Sequence, residues 1–167
     1  MDNVVTSAKP VLVLCLGNEI LSDDGFGPEV ARRLQKENQV DLAADVIFAP
    51  IAGFQLLDLL ADRKRVLVVD TIRTGTAEVG TLHHFPAGVL TPSHGLISSH
   101  QISLPTAIEL GKRLSLNMPD VIEVMAVEAQ DLETLSEELT LPIRSAVEKA
   151  LIFIHEWIRR NSTEEPS

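Results

Sequence analysis

Short apolar runs recur along the chain and predict the strands of one sheet. Val11–Leu16 contains six apolar residues in succession, rich in Val and Leu, which is typical of a strand buried on both faces. Three further runs predict strands at Asp45–Ala49, Val66–Asp70 and Val121–Val127. Apolar and polar residues alternate in Thr81–Phe85, which is typical of a shorter strand at the edge of a sheet.

Apolar residues at helical spacing follow most of these strands. The first helix begins near Pro28, with Val30 and Leu34 on one face. The second helix is expected through Phe54, Leu57 and Leu60 or Ala61. The third is expected through Ala107, Ile108 and Leu114, with Ser103 as N-cap and Pro105 in the first turn. The last helix has an apolar stripe of Ile143, Val147, Ala150, Leu151, Ile154 and Ile158. This alternation predicts an α/β fold, a three-layer sandwich with a largely parallel twisted sheet and helices on both faces.

Three polar stretches separate the predicted elements. The charge run Asp62–Arg65 is expected to be a solvated surface segment. Residues 86–99 are rich in Pro, Gly, Ser and His and predict a long loop. Residues 128–138 are acidic and irregular, with room for one short helical turn.

Composition is typical of a globular protein. Of 167 residues, 45% are hydrophobic and 23% are charged, which suits one domain (residues 1–167) with disordered tails at 1–9 and 161–167. The net charge of −10 argues against nucleic-acid binding. With no signal peptide and no apolar run of transmembrane length, we expect a cytoplasmic protein that does not bind membranes. We also expect it to be a monomer. The single cysteine, Cys15, is expected to be a core residue.

The first strand is followed by a turn at Gly17–Asn18 and by two adjacent carboxylates, Asp23 and Asp24. Gly and Asn tolerate positive φ values, which let a chain turn sharply out of a sheet. Groups placed there lie in the crevice where open α/β sheets bind ligands. The simpler interpretation is that Asp23 and Asp24 cap the following helix. Two carboxylates framed by glycines favour the functional interpretation.

Three polar groups share this predicted edge of the sheet. Asp24 follows the first strand, Asp70 ends the third, and His100 precedes a helix. Two carboxylates and one imidazole suit a divalent transition metal with open coordination positions. The structural alternative is that Asp70 caps a neighbouring segment and that His100 is a hydrogen-bonded loop histidine.

Other patterns of catalytic residues are missing from the sequence. There is no H-E-x-x-H, no Cys-based zinc pattern, and no good candidate for covalent catalysis. Three more histidines are candidate ligands: His83, His84 and His94. Neighbouring residues of a strand face opposite sides, so at most one of the adjacent pair could join a site.

Three ordered segments resemble the nickel–iron hydrogenase maturation endopeptidases, over nearly the full chain. They are Leu16-Gly17-Asn18 with Leu21-Ser22-Asp23-Asp24-Gly25-Phe26-Gly27-Pro28; Val66-Leu67-Val68-Val69-Asp70; and Ser99-His100-Gln101 with Leu104. The family is similar in fold to the sandwich described above. There are two departures: some relatives have Glu in place of Asp24, and Ala49–Gly53 lacks the glycine pair of many relatives, which leaves open the hydrogenase that is served.

The resemblance implies an endopeptidase that removes a short C-terminal extension from the precursor of a hydrogenase large subunit after nickel has been inserted. Nickel is then carried by the substrate and is not tightly bound by the free enzyme. The family's nickel-contacting positions fall on Asp24, Asp70 and His100. The residues expected to bind the substrate are Gly17, Asn18, Asp23 and Gly53.

Two other classes of protein remain as alternatives. A receiver-like signalling module also has acidic residues after its first strand and an Asp ending the third, but no Lys ends the strand at Val127. In a nucleotide-binding domain the first turn would be G-x-G-x-x-G, which Gly17-Asn18-Glu19 does not match, and two carboxylates would repel a pyrophosphate.

Overall fold

Strands and helices alternate along the chain in the computed structural model, which describes residues 7–37, 43–50, 54–90 and 104–163. The strands are β1 (Val11–Leu16), β2 (Asp45–Ala49), β3 (Arg65–Ile72), β4 (Leu82–Pro86) and β5 (Val121–Glu128). The α-helices are α1 (Phe26–Lys36), α2 (Phe54–Leu60), α3 (Leu104–Arg113) and α4 (Leu141–Ser162), and short 3-10 turns cover Ser22–Gly25 and Ala87–Val89.

The five strands form one sheet in the order β2-β1-β3-β5-β4. The pairs β1/β2, β1/β3 and β3/β5 are parallel, and β4 pairs antiparallel with β5 at the edge. The predicted α/β fold and the predicted edge strand are therefore confirmed. All six residues of β1 are buried, as expected for a strand covered on both faces.

Helices cover both faces of the sheet. Alternate residues of β1 point to opposite sides, so that Val13 and Cys15 pack with α1 and α4, while Leu12 and Leu14 pack with α2 and α3. The apolar stripe predicted for the last helix is buried in full, and Glu148 lies outside it. This arrangement gives the three layers that the sequence predicted.

Helix α4 continues through Ser162, two residues into the segment that was expected to be a disordered tail. Ile158 and Trp157 are buried in its last turns, and this burial holds the helix against the sheet. Among the described residues no helix, α4 included, combines the length and the apolar character needed to span a membrane.

The charge run at 62–65 is only partly solvated: Asp62 and Lys64 are exposed as predicted, but for Arg63 the prediction was wrong. Arg63 is 8% exposed. Its Nη1 donates to Asp45 Oδ2 at 2.5 Å and to the main-chain carbonyl of Lys9 at 2.6 Å. A planar guanidinium can be buried when a carboxylate and a carbonyl accept its protons. Arg63 therefore joins the start of β2 to the chain entering β1, and Arg65 already belongs to β3.

Three smaller expectations also differ from the structure. Phe54 begins α2 but is 69% exposed, whereas Leu57 and Leu60 are buried as predicted. Helix α3 ends one residue before Leu114. Residues 129–140 contain no helical turn, because their main chain pairs with the loop after β1, including a parallel bridge between Leu21 and Ser136.

Gly27, near the start of α1, provides a test of this packing. A Cβ at Gly27 would lie 2.0 Å from the main-chain oxygen of Leu16, and main chain cannot move aside as a flexible side chain can. We expect Gly27→Ala to lower the free energy of unfolding by about 1–3 kcal/mol, despite the better helix propensity of Ala. Gly88→Ala is the matched control, because nothing lies within 4 Å of its new Cβ. Urea unfolding measures both, and equal stabilities of the two variants would contradict the packing described.

Candidate functional site

The carboxyl ends of β1 and β3 lie side by side, since these strands pair in parallel. The chain leaves β1 toward β2 on one side and leaves β3 toward β4 on the other, which opens a crevice between the two ends. Asp24 lies in the 3-10 turn after β1, and Asp70 lies in β3. Two members of the predicted triad therefore lie at the same edge of the sheet.

Asp70 is fully buried, and only one of its carboxylate oxygens has a hydrogen bond. The Thr71 N–H donates to Asp70 Oδ1 at 2.7 Å. Asp70 Oδ2 is the one buried side-chain N or O atom that lacks a hydrogen-bond partner within the described ranges. Burial raises the pKa of Asp70 to about 7; the Thr71 N–H acts to lower it, and the charge of Asp24 acts to raise it further.

Asp24 is 3% exposed, and its main chain is held by Gly17 and Asn18, which follow β1. Its Oδ1 accepts a hydrogen bond from Thr71 Oγ1 at 3.2 Å. Its main-chain oxygen accepts from the Asn18 N–H at 3.1 Å and lies 2.2 Å from where a Cβ of Gly17, with φ of +145°, would be. Gly17 and Asn18 thus hold the main chain of Asp24, and their binding to a substrate stays a prediction.

Asp23 forms its hydrogen bonds with a different part of the chain from Asp24. Its Oδ1 accepts from the Thr140 N–H and hydroxyl, both at 2.8 Å, and its Oδ2 accepts from the Asp131 N–H at 3.0 Å. The N-cap residues of the 3-10 turn and of α1 are Leu21 and Gly25, so neither carboxylate is at a helix N-cap. Asp23 connects the turn to the β5–α4 segment; its predicted contact with a substrate is untested.

The third member of the triad, His100, lies outside the described residues, as do Gly53 and His94. Their predicted roles therefore stay predictions. In the described part of the chain no three His, Cys, Asp or Glu side chains are grouped so that they could hold a metal ion. The site described here consists of the two carboxylates.

The adjacent histidines of β4 have carboxylate partners of their own. His83 Nε2 lies 3.0 Å from Glu128 Oε2, and His84 Nε2 lies 3.1 Å from Glu123 Oε1. His84 also contacts the ring of Phe153 edge-on, at a centroid distance of 4.8 Å. The two side chains are on opposite faces of the sheet, as strand alternation predicted.

Sequence reasoning missed Glu128, which it assigned to an irregular segment. Glu128 ends β5 and is 2% exposed. Although burial acts to raise it, the pKa of Glu128 is lowered by hydrogen bonds from Thr74, Gly75 and His83. A carboxylate directly after an apolar run, the signal that identified Asp70, was present here as well. Thr71 gave no signal in the sequence.

The two carboxylates are chemically compatible with a divalent cation. A buried carboxylate oxygen without a partner is costly unless a ligand occupies it, and oxygen ligands suit divalent metals. A thiol mechanism does not fit, because burial and, less strongly, the charge of Asp70 raise the pKa of the Cys15 thiol far above its ordinary value.

Comparison with known proteins identifies the family. A model of the hydrogenase maturation proteases matches residues 28–157, well over half of the chain. This chain belongs to the hydrogenase maturation protease family. It is therefore a peptidase, which confirms the predicted resemblance and enzyme class and excludes the receiver-like and nucleotide-binding alternatives. Asp70 lies inside the matched residues, whereas Asp23 and Asp24 precede them.

Individual relatives agree with this assignment. The hydrogenase expression/formation protein HupD of Rhizobium leguminosarum bv. viciae is 24% identical over 156 residues, covering 90% of this chain and 76% of that protein. The hydrogenase 2 maturation protease of Escherichia coli strain K12 is 25% identical, covering 92% and 93%. The solved structure of the hydrogenase maturating endopeptidase HybD from E. coli has the same fold, with a TM-score of 0.76 at 23% identity, and 90% and 93% of the chains are covered.

The pKa of Asp70 predicts an unusual pH dependence of stability for this protease. Because its pKa is about 7 in the folded chain and 3.8 in an unperturbed aspartate, the folded state retains a proton that the unfolded state has lost. This contribution to stability is complete below pH 4 and disappears as pH rises through 7. Asp70→Asn should therefore be more stable than wild type at pH 8, by on the order of 4 kcal/mol at most.

Chemical denaturation at pH 5 and pH 8 measures this effect. The exposed Asp58→Asn is the control, and surface changes of this kind alter stability by about 0.5 kcal/mol or less. Parallel pH profiles for wild type and Asp70→Asn would show that Asp70 is ionised in the folded protein at both pH values.

Proposed function

We propose that this protease removes the C-terminal extension of a hydrogenase large-subunit precursor after nickel insertion, and that it recognises the substrate-borne nickel through Asp24, Asp70 and His100. The observation that carries the proposal is Asp70 Oδ2, a buried oxygen without a partner in the described part of the chain, beside the second carboxylate. Membership of the family supports the precursor as substrate.

The carboxylates would act by docking. An ion that arrives bound to the precursor would give Asp70 Oδ2 the partner it lacks in the described part of the chain. Its positive charge would also relieve the repulsion between Asp70 and Asp24. This docking would hold the scissile peptide bond near the crevice and thereby supply the effective concentration on which hydrolysis depends. A divalent metal in this position can polarise the peptide carbonyl or activate a water molecule.

Proton release accompanies this docking. Asp70, with a pKa of about 7, must lose its proton before both carboxylates bind the ion. We still predict that the enzyme is cytoplasmic and monomeric.

Substitution of the three proposed ligands tests the assignment. We expect Asp24→Ala, Asp70→Ala and His100→Ala each to abolish removal of the extension while the chain stays folded; neither Asp24 nor Asp70 belongs to the apolar clusters on the two faces of the sheet. Mass spectrometry of the precursor measures cleavage, and circular dichroism checks the fold. The exposed Asp58→Ala is the control and should cleave normally. Normal processing by any two of the three variants would rule out the mechanism.

The location of the metal gives a second test. We expect the isolated protease to be purified largely without metal, because two carboxylates and one imidazole with no thiolate hold nickel weakly, and we expect it to cleave only nickel-loaded precursor. Lowering the pH from 8 to about 6 should weaken binding of added metal, because protonated carboxyl and imidazole groups are not ligands. Elemental analysis measures the metal content of the isolated protease, and cleavage assays with nickel-free precursor and chelator measure whether cleavage depends on the nickel of the precursor. Stoichiometric tightly bound metal, or cleavage that ignores the nickel of the precursor, would contradict it.

A further inference from the structure

Thr71 forms hydrogen bonds with both carboxylates of the proposed site. Its main-chain N–H donates to Asp70 Oδ1 at 2.7 Å, and its Oγ1 donates to Asp24 Oδ1 at 3.2 Å. Thr71 is itself only 1% exposed, so water does not compete for these bonds. One residue therefore binds one oxygen of each carboxylate.

The alternation of β3 explains how Thr71 reaches both groups. Val68 packs on the side of α2 and α3, and Val69 packs on the side of α1 and α4. Continuing this alternation, the Asp70 side chain belongs to the first side and the Thr71 side chain to the second. The turn with Asp24 leads into α1, which is on the second side. The Thr71 side chain thus meets Asp24, while its main chain meets the carboxylate of the preceding residue.

These bonds determine which oxygen of Asp70 is available. Oδ1 is occupied by the Thr71 N–H, and this leaves Oδ2 as the oxygen without a partner in the described part of the chain. A hydroxyl has a single proton to donate, and here that proton is directed to Asp24. Thr71, which does not itself belong to the predicted triad, therefore binds Asp70 through its main chain and Asp24 through its side chain.

We propose that Thr71 is a positioning residue for metal recognition: its hydroxyl holds Asp24 so that oxygens of Asp24 and Asp70 face the same cation. This inference rests on the proposed function and adds to it a residue that orients the ligands without binding the metal. Outer-shell hydrogen bonds of this kind orient metal ligands, and their loss typically weakens metal binding or activity by about 10–100-fold.

A purely structural role for Thr71 leads to a different expectation. Val has the same shape as Thr and favours buried strands, so Thr71→Val would be close to neutral if the residue only packed against its neighbours. The substitution keeps the main-chain N–H and hence the bond to Asp70, and it removes only the hydroxyl bond to Asp24. Thr71→Ser restores the hydroxyl without the methyl group.

The experiment compares the full-length wild type, Thr71→Val and Thr71→Ser. The exposed Thr81→Val, outside the site, is the matched control for the same chemical change. Calorimetric titration with Co²⁺ alone measures the affinity of the isolated protein, and cleavage of nickel-loaded precursor measures kcat and KM. We expect Thr71→Val to bind Co²⁺ about 10–100-fold more weakly and to lose kcat/KM mainly through a higher KM, with Thr71→Ser and Thr81→Val close to wild type.

Two results would overturn the inference. One is a folded Thr71→Val that binds Co²⁺ as tightly as wild type. The other is a Thr71→Ser that is as weak as Thr71→Val, because the loss would then follow the methyl group and not the hydroxyl. If Thr71→Val does not fold, Thr71→Ala removes the hydroxyl without placing a methyl group against Asp24, and the same expectation applies to it.

Failure of the proposed function would be recognised separately. Wild-type protein that cleaves nickel-free and nickel-loaded precursor equally well contradicts substrate-borne recognition. The ratio of Co²⁺ affinities between wild type and Thr71→Val still decides whether Thr71 positions the two carboxylates.

Discussion

The start of α1 lies so close to the end of β1 that no side chain fits between them. A Cβ at Gly17 would lie 2.2 Å from the Asp24 carbonyl oxygen, and one at Gly27 would lie 2.0 Å from that of Leu16. This close approach folds the connection into one compact turn, closed by the hydrogen bond from Asn18 to Asp24. The site depends on it, because a wider turn would move Asp24 away from β3 and its carboxylate away from Asp70.

The two adjacent carboxylates of this turn have different tasks. Asp23 accepts hydrogen bonds from the β5–α4 segment, including Asp131 and Thr140, whereas Asp24 accepts from Thr71 in the central strand. One side chain thus connects the turn to a neighbouring segment, and the next is bound to Thr71, close enough to Asp70 for its charge to act on that carboxylate. In this protease the Asp23–Asp24 pair therefore combines a structural carboxylate with a candidate functional one.

Two buried carboxylates near the ends of neighbouring strands show what separates a site from a structural contact. Glu128 on β5 receives hydrogen bonds from Thr74, Gly75 and His83, and these lower its pKa despite burial. Asp70 on β3 receives one, and burial raises its pKa to about 7. The hydrogen bonds to Glu128 outweigh the effect of its burial on the pKa, whereas the single hydrogen bond to Asp70 does not, and the charge of Asp24 adds to the effect of burial on Asp70. Of these two carboxylates, only Asp70 keeps an oxygen without a hydrogen-bond partner in the described part of the chain.

The sequence by itself determined the strands, the helical faces and the α/β class, because the burial of β1 and of the α4 stripe is encoded in local apolar periodicity. It also placed Asp24 and Asp70 at one sheet edge, since both follow apolar runs. Only the tertiary structure decided that Arg63 is buried against Asp45, that Asp23 binds Thr140, and that Thr71 joins the two carboxylates. These contacts link residues 18 to 117 positions apart, and local pattern carries no record of which distant donors reach a given carboxylate.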